Sequence, residues 1–170
     1  MTTTPAPRLE ELTAAEALRL MAGVPVGRVV FTEGALPAIR PVHFFVEGGR
    51  DAGPAAGPEA PADAADGADQ TDQADPATSA TLAATAIVFR VIGDRNLASA
   101  LHRSVVAFQA DECDMERRSG WSVTATGNAV RVDDAAEIDR LSRRLPIPWA
   151  EQGIVFRIEP ELVTGRRLNR

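Results

Sequence analysis

The chain has 170 residues and a mass of 18.1 kDa, room for one domain with its own core, and its single cysteine excludes an internal disulfide. Of 24 acidic residues, seven fall between positions 51 and 86, where no basic residue occurs; the formal charge of −6 becomes about +1 for the other 134 residues. No apolar run approaches the ~20 residues of a membrane span, and the first eight residues lack the basic start of a signal peptide, so a cytoplasmic location is expected.

Taken in chain order, residues 1–12 read as a polar lead. Thr13-Ala-Ala-Glu16 has the pattern of a capping box and predicts a short helix carrying Leu18 and Met21. GRVVFT at 27–32 and AIRPVHFFV at 38–46 are strand patterns. Pro41, inside the second, marks an edge, a bulge or a ligand-facing point where no ladder N–H is needed. Gly48-Gly49 signals a hairpin, yet the partner strand, IVFRVI at 87–92, arrives only after the acidic segment.

Asp94 is a candidate N-cap for a helix through Leu97, Ala100 and Leu101. Strands follow at 104–110 and 121–132, separated by a polar loop, and Gly127 marks a bend or bulge. Asp134-Ala-Ala-Glu137 opens a third helix through Leu141. Pro146 and Pro148 close that region, where Trp149 reads as packing. A sixth strand is predicted at 154–158, with a turn and a short final strand beyond Pro160. Six or so alternating strands with three short helices predict an α+β domain built on a small antiparallel β-barrel.

Residues 51–86 contain 14 alanines and one large aliphatic, Leu82. So little apolar surface does not offset the entropy of ordering, and the segment is expected to be a disordered insertion within a single domain spanning 1–170. Its Ala-rich end, 77–86, has the composition to form a helix or to lead into the next strand.

Familiar catalytic patterns are missing from the sequence. The two histidines, His43 and His102, lie in different elements, and zinc-ligand spacing, a nucleophile elbow, a P-loop and a dinucleotide fingerprint are all absent. Cys113 sits among acids and reads as an ordinary thiol; Asp111, Glu112, Asp114 and Glu116 lack calcium-loop spacing. What remains is arginine at strand ends. With no lysine in the chain, a bound phosphate must be held by guanidinium groups, hydroxyls or backbone N–H groups, and Arg90, Arg95 and Asn96 are the candidates.

Several blocks taken together resemble a known family: LEELTAAEALRLMAGVPVGRVVF, LPAIRPVHF, VVAFQAD, SGWSVTATGNAVRV and VTGRRL. In order and spacing, once the insertion is skipped, they are similar to the pyridoxamine 5′-phosphate oxidase-like flavin-binding split barrels, in particular their compact actinobacterial branch. The resemblance implies a homodimer with FMN in clefts between subunits. It implies that Arg90 is the phosphate-binding strand arginine, with Val91, Arg95, Asn96 and Leu97 in the strand end and turn that follow. Pro41, Val42 and His43 would run beside the ring system, and Trp121 and Ser122 would approach it from the partner subunit. Val91 stands where the family commonly has a hydroxyl residue, and His43 where it commonly has Asn or Ser.

The expected function is therefore that of an FMN-binding oxidoreductase, moving two electrons between a reduced nicotinamide-type donor and a small acceptor. The alternatives are an oxidoreductase of the same fold using the deazaflavin F420, which needs an extended basic groove, and a non-enzymatic binding or regulatory split barrel. Nucleic acid is not an expected partner, because aromatic and basic residues are not interleaved.

Overall fold

The computed structural model describes residues 8–48, 76–92, 95–145 and 153–169. The elements are β1 (Arg8–Glu11), α1 (Ala14–Met21), β2 (Val26–Glu33), β3 (Leu36–Glu47), α2 (Pro76–Ala83), β4 (Ala86–Ile92), α3 (Arg95–Leu101), β5 (Ser104–Asp114), β6 (Ser119–Arg131), α4 (Ala135–Ser142) and β7 (Gly153–Asn169).

All pairings are antiparallel, in the order β1-β7-β4-β3-β2-β5-β6, and β6 also pairs with β7. The sheet thus returns on itself. Its lacing is uneven: β5 and β6 pair from Ser104↔Ala129 to Asp114↔Ser119, whereas β2 meets β5 only over Arg28–Val30. This is an antiparallel split barrel with short flanking helices.

Alternation produces two separate cores. Inward residues of every ring strand, among them Val29, Phe44, Phe89, Phe108, Val123 and Phe156, share one cluster. Phe108 links two of its ring contacts, with centroids 4.8 Å from Phe44 and 5.9 Å from Phe89. A smaller cluster lies outside the ring, where Leu141 of α4 covers Val88 and Val155. The strand β4 is therefore buried on both faces, which explains its unbroken apolar run.

The helix starts follow the local signals. Thr13 Oγ1 accepts from the Glu16 N–H at 3.4 Å, and Glu16 Oε2 accepts from the Thr13 N–H at 3.0 Å. Asp134 likewise caps α4, accepting from the Glu137 N–H at 2.8 Å. The helix α1 approaches β7 closely at Gly165, where a Cβ would come within 3.0 Å of both Ala17 and Leu12.

Three expectations need correction. The insertion is not disordered through residue 86: α2 covers 76–83, Leu82 and Thr85 are buried, and Ala86 already opens β4. Packing of α2 against α1 and β7, and the Thr85 hydroxyl donating to the Thr81 carbonyl at 2.7 Å, hold this end. The rest of the insertion lies outside the described residues. The polar lead contains β1, whose side chains are all exposed; it is held by backbone pairing to 166–169 and so leaves no apolar pattern. The two C-terminal strands are one, because β7 runs unbroken through Pro160, with a register shift opposite Thr126/Gly127.

Replacing Thr13 by Ala should cost about 1 kcal/mol at neutral pH. The Thr13 hydroxyl and N–H hold the Glu16 carboxyl below its usual range, so the cap contributes above the ordinary carboxylate pKa and its contribution fades as pH falls through the lowered value. The gap between urea titrations of wild type and Thr13→Ala should therefore narrow as pH falls through the lowered Glu16 value, leaving the part due to the Thr13 hydroxyl accepting from the Glu16 N–H.

Candidate functional site

Along β4 the side chains divide. Ile87, Phe89 and Val91 enter the barrel core, while Val88, Arg90 and Ile92 face outward. The outward residues differ in cover: Val88 is sealed under α4, and Ile92 is half exposed. Arg90 lies between them at the C-terminal end of α4, and its guanidinium donates to the hydroxyl of Ser142, the last residue of that helix.

Gly153 makes the position of Arg90 sterically possible. It pairs with Ile92 across the β4–β7 ladder, and a Cβ there would stand 2.6 Å from Arg90 Cγ and 2.7 Å from Cδ. The stem of the arginine occupies the space that any other residue would fill.

The β3–β4 ladder ends at Phe44↔Phe89. The same register carried one residue further sets His43 beside Arg90, and two residues beyond that it sets Pro41 beside Ile92. Pro41 pairs with Arg28 of β2 and lies past the end of the β4 ladder, so its missing N–H leaves no gap in that ladder. The His43 Nδ1 atom is buried with no hydrogen-bond partner among the described residues.

Pro41 and His43 on β3 and Arg90 on β4 thus lie at outward-facing positions, just beyond the last β3–β4 pair, Phe44↔Phe89. Val42, Val91 and Leu97 turn their side chains into the core. A hydroxyl at position 91 would point inward as well, and the hydroxyl that Arg90 meets is supplied by Ser142. Asn96 is exposed in the first turn of α3, a helix that closes the barrel with Leu97 and Leu101. Gly93, Asp94, the Arg95 side chain and Trp149 fall outside the described residues.

Trp121 and Ser122 are elsewhere. Arg90 faces Val155 of β7, whereas Ser122 faces Arg166, eleven residues further along that strand and about 36 Å of extended chain. Trp121 is half-buried against the main core, and its Nε1–H donates to Glu112 Oε2 at 3.2 Å. Two surface depressions lie at this end. One, of 260 Å³, is bounded by Trp121, Glu112, Arg117 and Arg167; the other, of 510 Å³, by Ser122, Thr124, Thr164 and Arg166.

Charge is concentrated around α4. Glu47, at the end of β3, accepts from Arg140 at 2.5 Å through Oε1 and from Arg157 at 2.7 Å through Oε2; Arg157 also reaches Glu137 at 2.7 Å. Arg144 lies 4.0 Å from Glu47, with its guanidinium carbon 4.2 Å from the centre of the Phe45 ring. Burial alone would raise the Glu47 carboxyl, but the Arg140 hydrogen bond and the charges of Arg157, Arg140 and Arg144 outweigh it and hold the group below its usual range. Neither Ser142, Gly153 nor Glu47 was legible as part of this site. Each lies more than 40 positions from Arg90 in sequence, and no local pattern joins them.

Comparison with known proteins agrees with this architecture. The pyridoxamine 5′-phosphate oxidase profile matches residues 70–167, more than half of the chain. The chain belongs to the pyridoxamine 5′-phosphate oxidase family. It is 38% identical over 161 residues to the uncharacterized protein Rv0080 of Mycobacterium tuberculosis, covering 93% of this chain and 84% of that protein. Among solved structures in this fold, the FAD binding protein from Mycobacterium smegmatis is 26% identical with a TM-score of 0.63, covering 95% of this chain and all of that one. An FAD-binding protein from Mesorhizobium loti, 17% identical and with a TM-score of 0.62, shares the fold over 97% of this chain and 100% of its own. In this family member the packing of Arg90 over Gly153 can be tested directly. Gly153→Ala should cost about 1–3 kcal/mol in urea unfolding, because the new methyl meets the arginine stem and the Val91 carbonyl.

Proposed function

We propose that this family member is a flavin-binding oxidoreductase, with FMN as the cofactor and its phosphate on Arg90. The observation that carries this reading is the arginine itself: a guanidinium set on an otherwise apolar strand, oriented by Ser142 and accommodated by Gly153. Such a fork suits a phosphate monoester, and the adjoining His43 edge suits a polar ring margin. The likeness to the FAD binding protein from Mycobacterium smegmatis supports a flavin, and the cofactor released from purified protein distinguishes FMN from FAD.

When bound, the flavin supplies two-electron transfer, here between a reduced nicotinamide-type donor and a small acceptor. The chain supplies position. Arg90 and Ser142 hold the anionic end, and Pro41 and His43 border the ring. The separation of Arg90 from Trp121 and Ser122 along β7 supports a site completed by a second copy, each chain giving its arginine face to one cleft and its Trp121–Ser122 end to the other.

The outer face has a strip suited to that contact. Ile39, Val30, Ala107, Thr126 and Leu162 succeed one another across four ladders without a charge, and Ile39 and Leu162 are each more than half exposed.

Purified protein should be yellow, and a colourless protein that takes up neither FMN nor FAD rules the reading out. Arg90→Ala should weaken FMN binding at least about tenfold while leaving the circular dichroism spectrum unchanged. Mixed dimers of Arg90→Ala and Trp121→Ala chains should recover one intact site per dimer. Homodimers of either variant should bind poorly. Failure of the mixture to recover binding counts against an intersubunit site.

A further inference from the structure

The ion-pair cluster around Glu47 is absorbed by none of the roles above, yet it bears on the arginine that defines the site. The helix α4 has eight residues, too few to be stable without tertiary contacts. Its apolar anchorage is narrow: Leu141 is fully buried and Ile138 partly so, over Val88, Val155, Val132 and Phe45. The remaining hold is electrostatic. Glu47 reaches α4 through Arg140 and Arg144, and Arg157 of β7 joins Glu47 to Glu137 in the first turn of the same helix. The Glu47 side chain is only 19% exposed, so its pairs are less screened than those on the open surface.

The next position after Leu141 is Ser142, whose hydroxyl accepts from Arg90. The end of α4 that orients the arginine is thus fixed by a carboxylate on a different strand. Removing that carboxylate leaves Arg140, Arg144 and Arg157 facing each other with Glu137 as the one acid of the cluster. Like-charge repulsion then favours lifting the helix.

We propose that Glu47 is a positioning residue for Arg90, anchoring α4 through Arg140 and Arg157 so that Ser142 is held against the guanidinium. The proposal deepens the flavin reading and rests on it for its consequence in binding. The positioning itself is a property of the free protein.

Two readouts keep these apart. In the full chain without added flavin, the side-chain Nε–H signal of Arg90 in ¹⁵N NMR should differ between wild type and Glu47→Gln, with the amides of 135–142 exchanging faster in the variant. Glu47→Asp should recover part of the protection. Arg143→Ala, which removes an ion pair with Asp139 on the exposed side of the same helix, should leave the Arg90 signal unchanged. In FMN titrations, Glu47→Gln and Ser142→Ala should each raise Kd about fivefold, and the double variant should be no worse than either alone, since both break one chain of contacts.

Acid should mimic the substitution. Arg140, Arg144 and Glu137 on α4 and Arg157 on β7 are the charged groups facing Glu47. The carboxyl lies below its usual range, so helix protection should persist through the ordinary carboxylate pKa and be lost only as pH falls through the lowered value. An unchanged Arg90 signal in Glu47→Gln overturns the proposal, and so do additive effects on Kd. A wild-type protein that binds no flavin overturns the functional reading alone, since the NMR comparison still decides the positioning.

Discussion

The constraint on which the site depends is that β4 is covered on both faces. Ile87, Phe89 and Val91 fill the barrel while Val88 lies under α4, so the strand has almost no surface to offer a polar group. A guanidinium is costly to bury without partners. The sheet solves this at the C-terminal end of α4, where cover ends, Ser142 accepts a hydrogen bond and Gly153 leaves room for the stem. Arg90 is thus placed where its stem packs over Gly153 and its guanidinium meets Ser142.

The long β7 strand relates this arginine to the rest of the molecule. Residues 153–158 pair with β4 and 166–169 with β1, while β6 runs beside it from Phe156 to Leu168 with a register shift at Thr126/Gly127. One strand thus supports both the arginine face and the depressions near Trp121 and Ser122, yet keeps them far apart. A rigid element of this length fixes that separation, and loop movement within one chain would not close it. In the dimer proposed above, a second copy related by a two-fold axis would bring each end to the opposite end of its partner.

The sequence was informative where local chemistry governs structure. Alternating and short apolar runs located six of the strands, and the spacing of Thr13 to Glu16 located the start of α1 to the residue. The arginine of the site was visible because it interrupts an apolar run. What could not be read depends on distant partners. The strand β1 has no buried side chain to reveal it, α2 depends on α1 and β7 for its cover, and Pro160 gave a false break in a strand that pairing carries through. Resemblance named Val42, Val91 and Leu97 alongside Pro41, His43 and Arg90, and only the fold separates inward side chains from outward ones.

An all-arginine set of cations shapes the cluster around α4. Glu47 uses its two oxygens on two different guanidinium groups, and Arg157 Nη2 bridges it to Glu137 with both contacts at 2.7 Å. An ammonium, with three donors on one nitrogen, could also bridge two carboxylates, but it has no flat face to lay over Phe45 as Arg144 does. The absence of lysine, whatever its origin, therefore has a structural consequence: charge near the site is arranged by planar, directional groups. The acids that make the whole chain negative lie mostly in other places, seven of them in the insertion. Without those seven, the other 134 residues carry a formal charge of about +1.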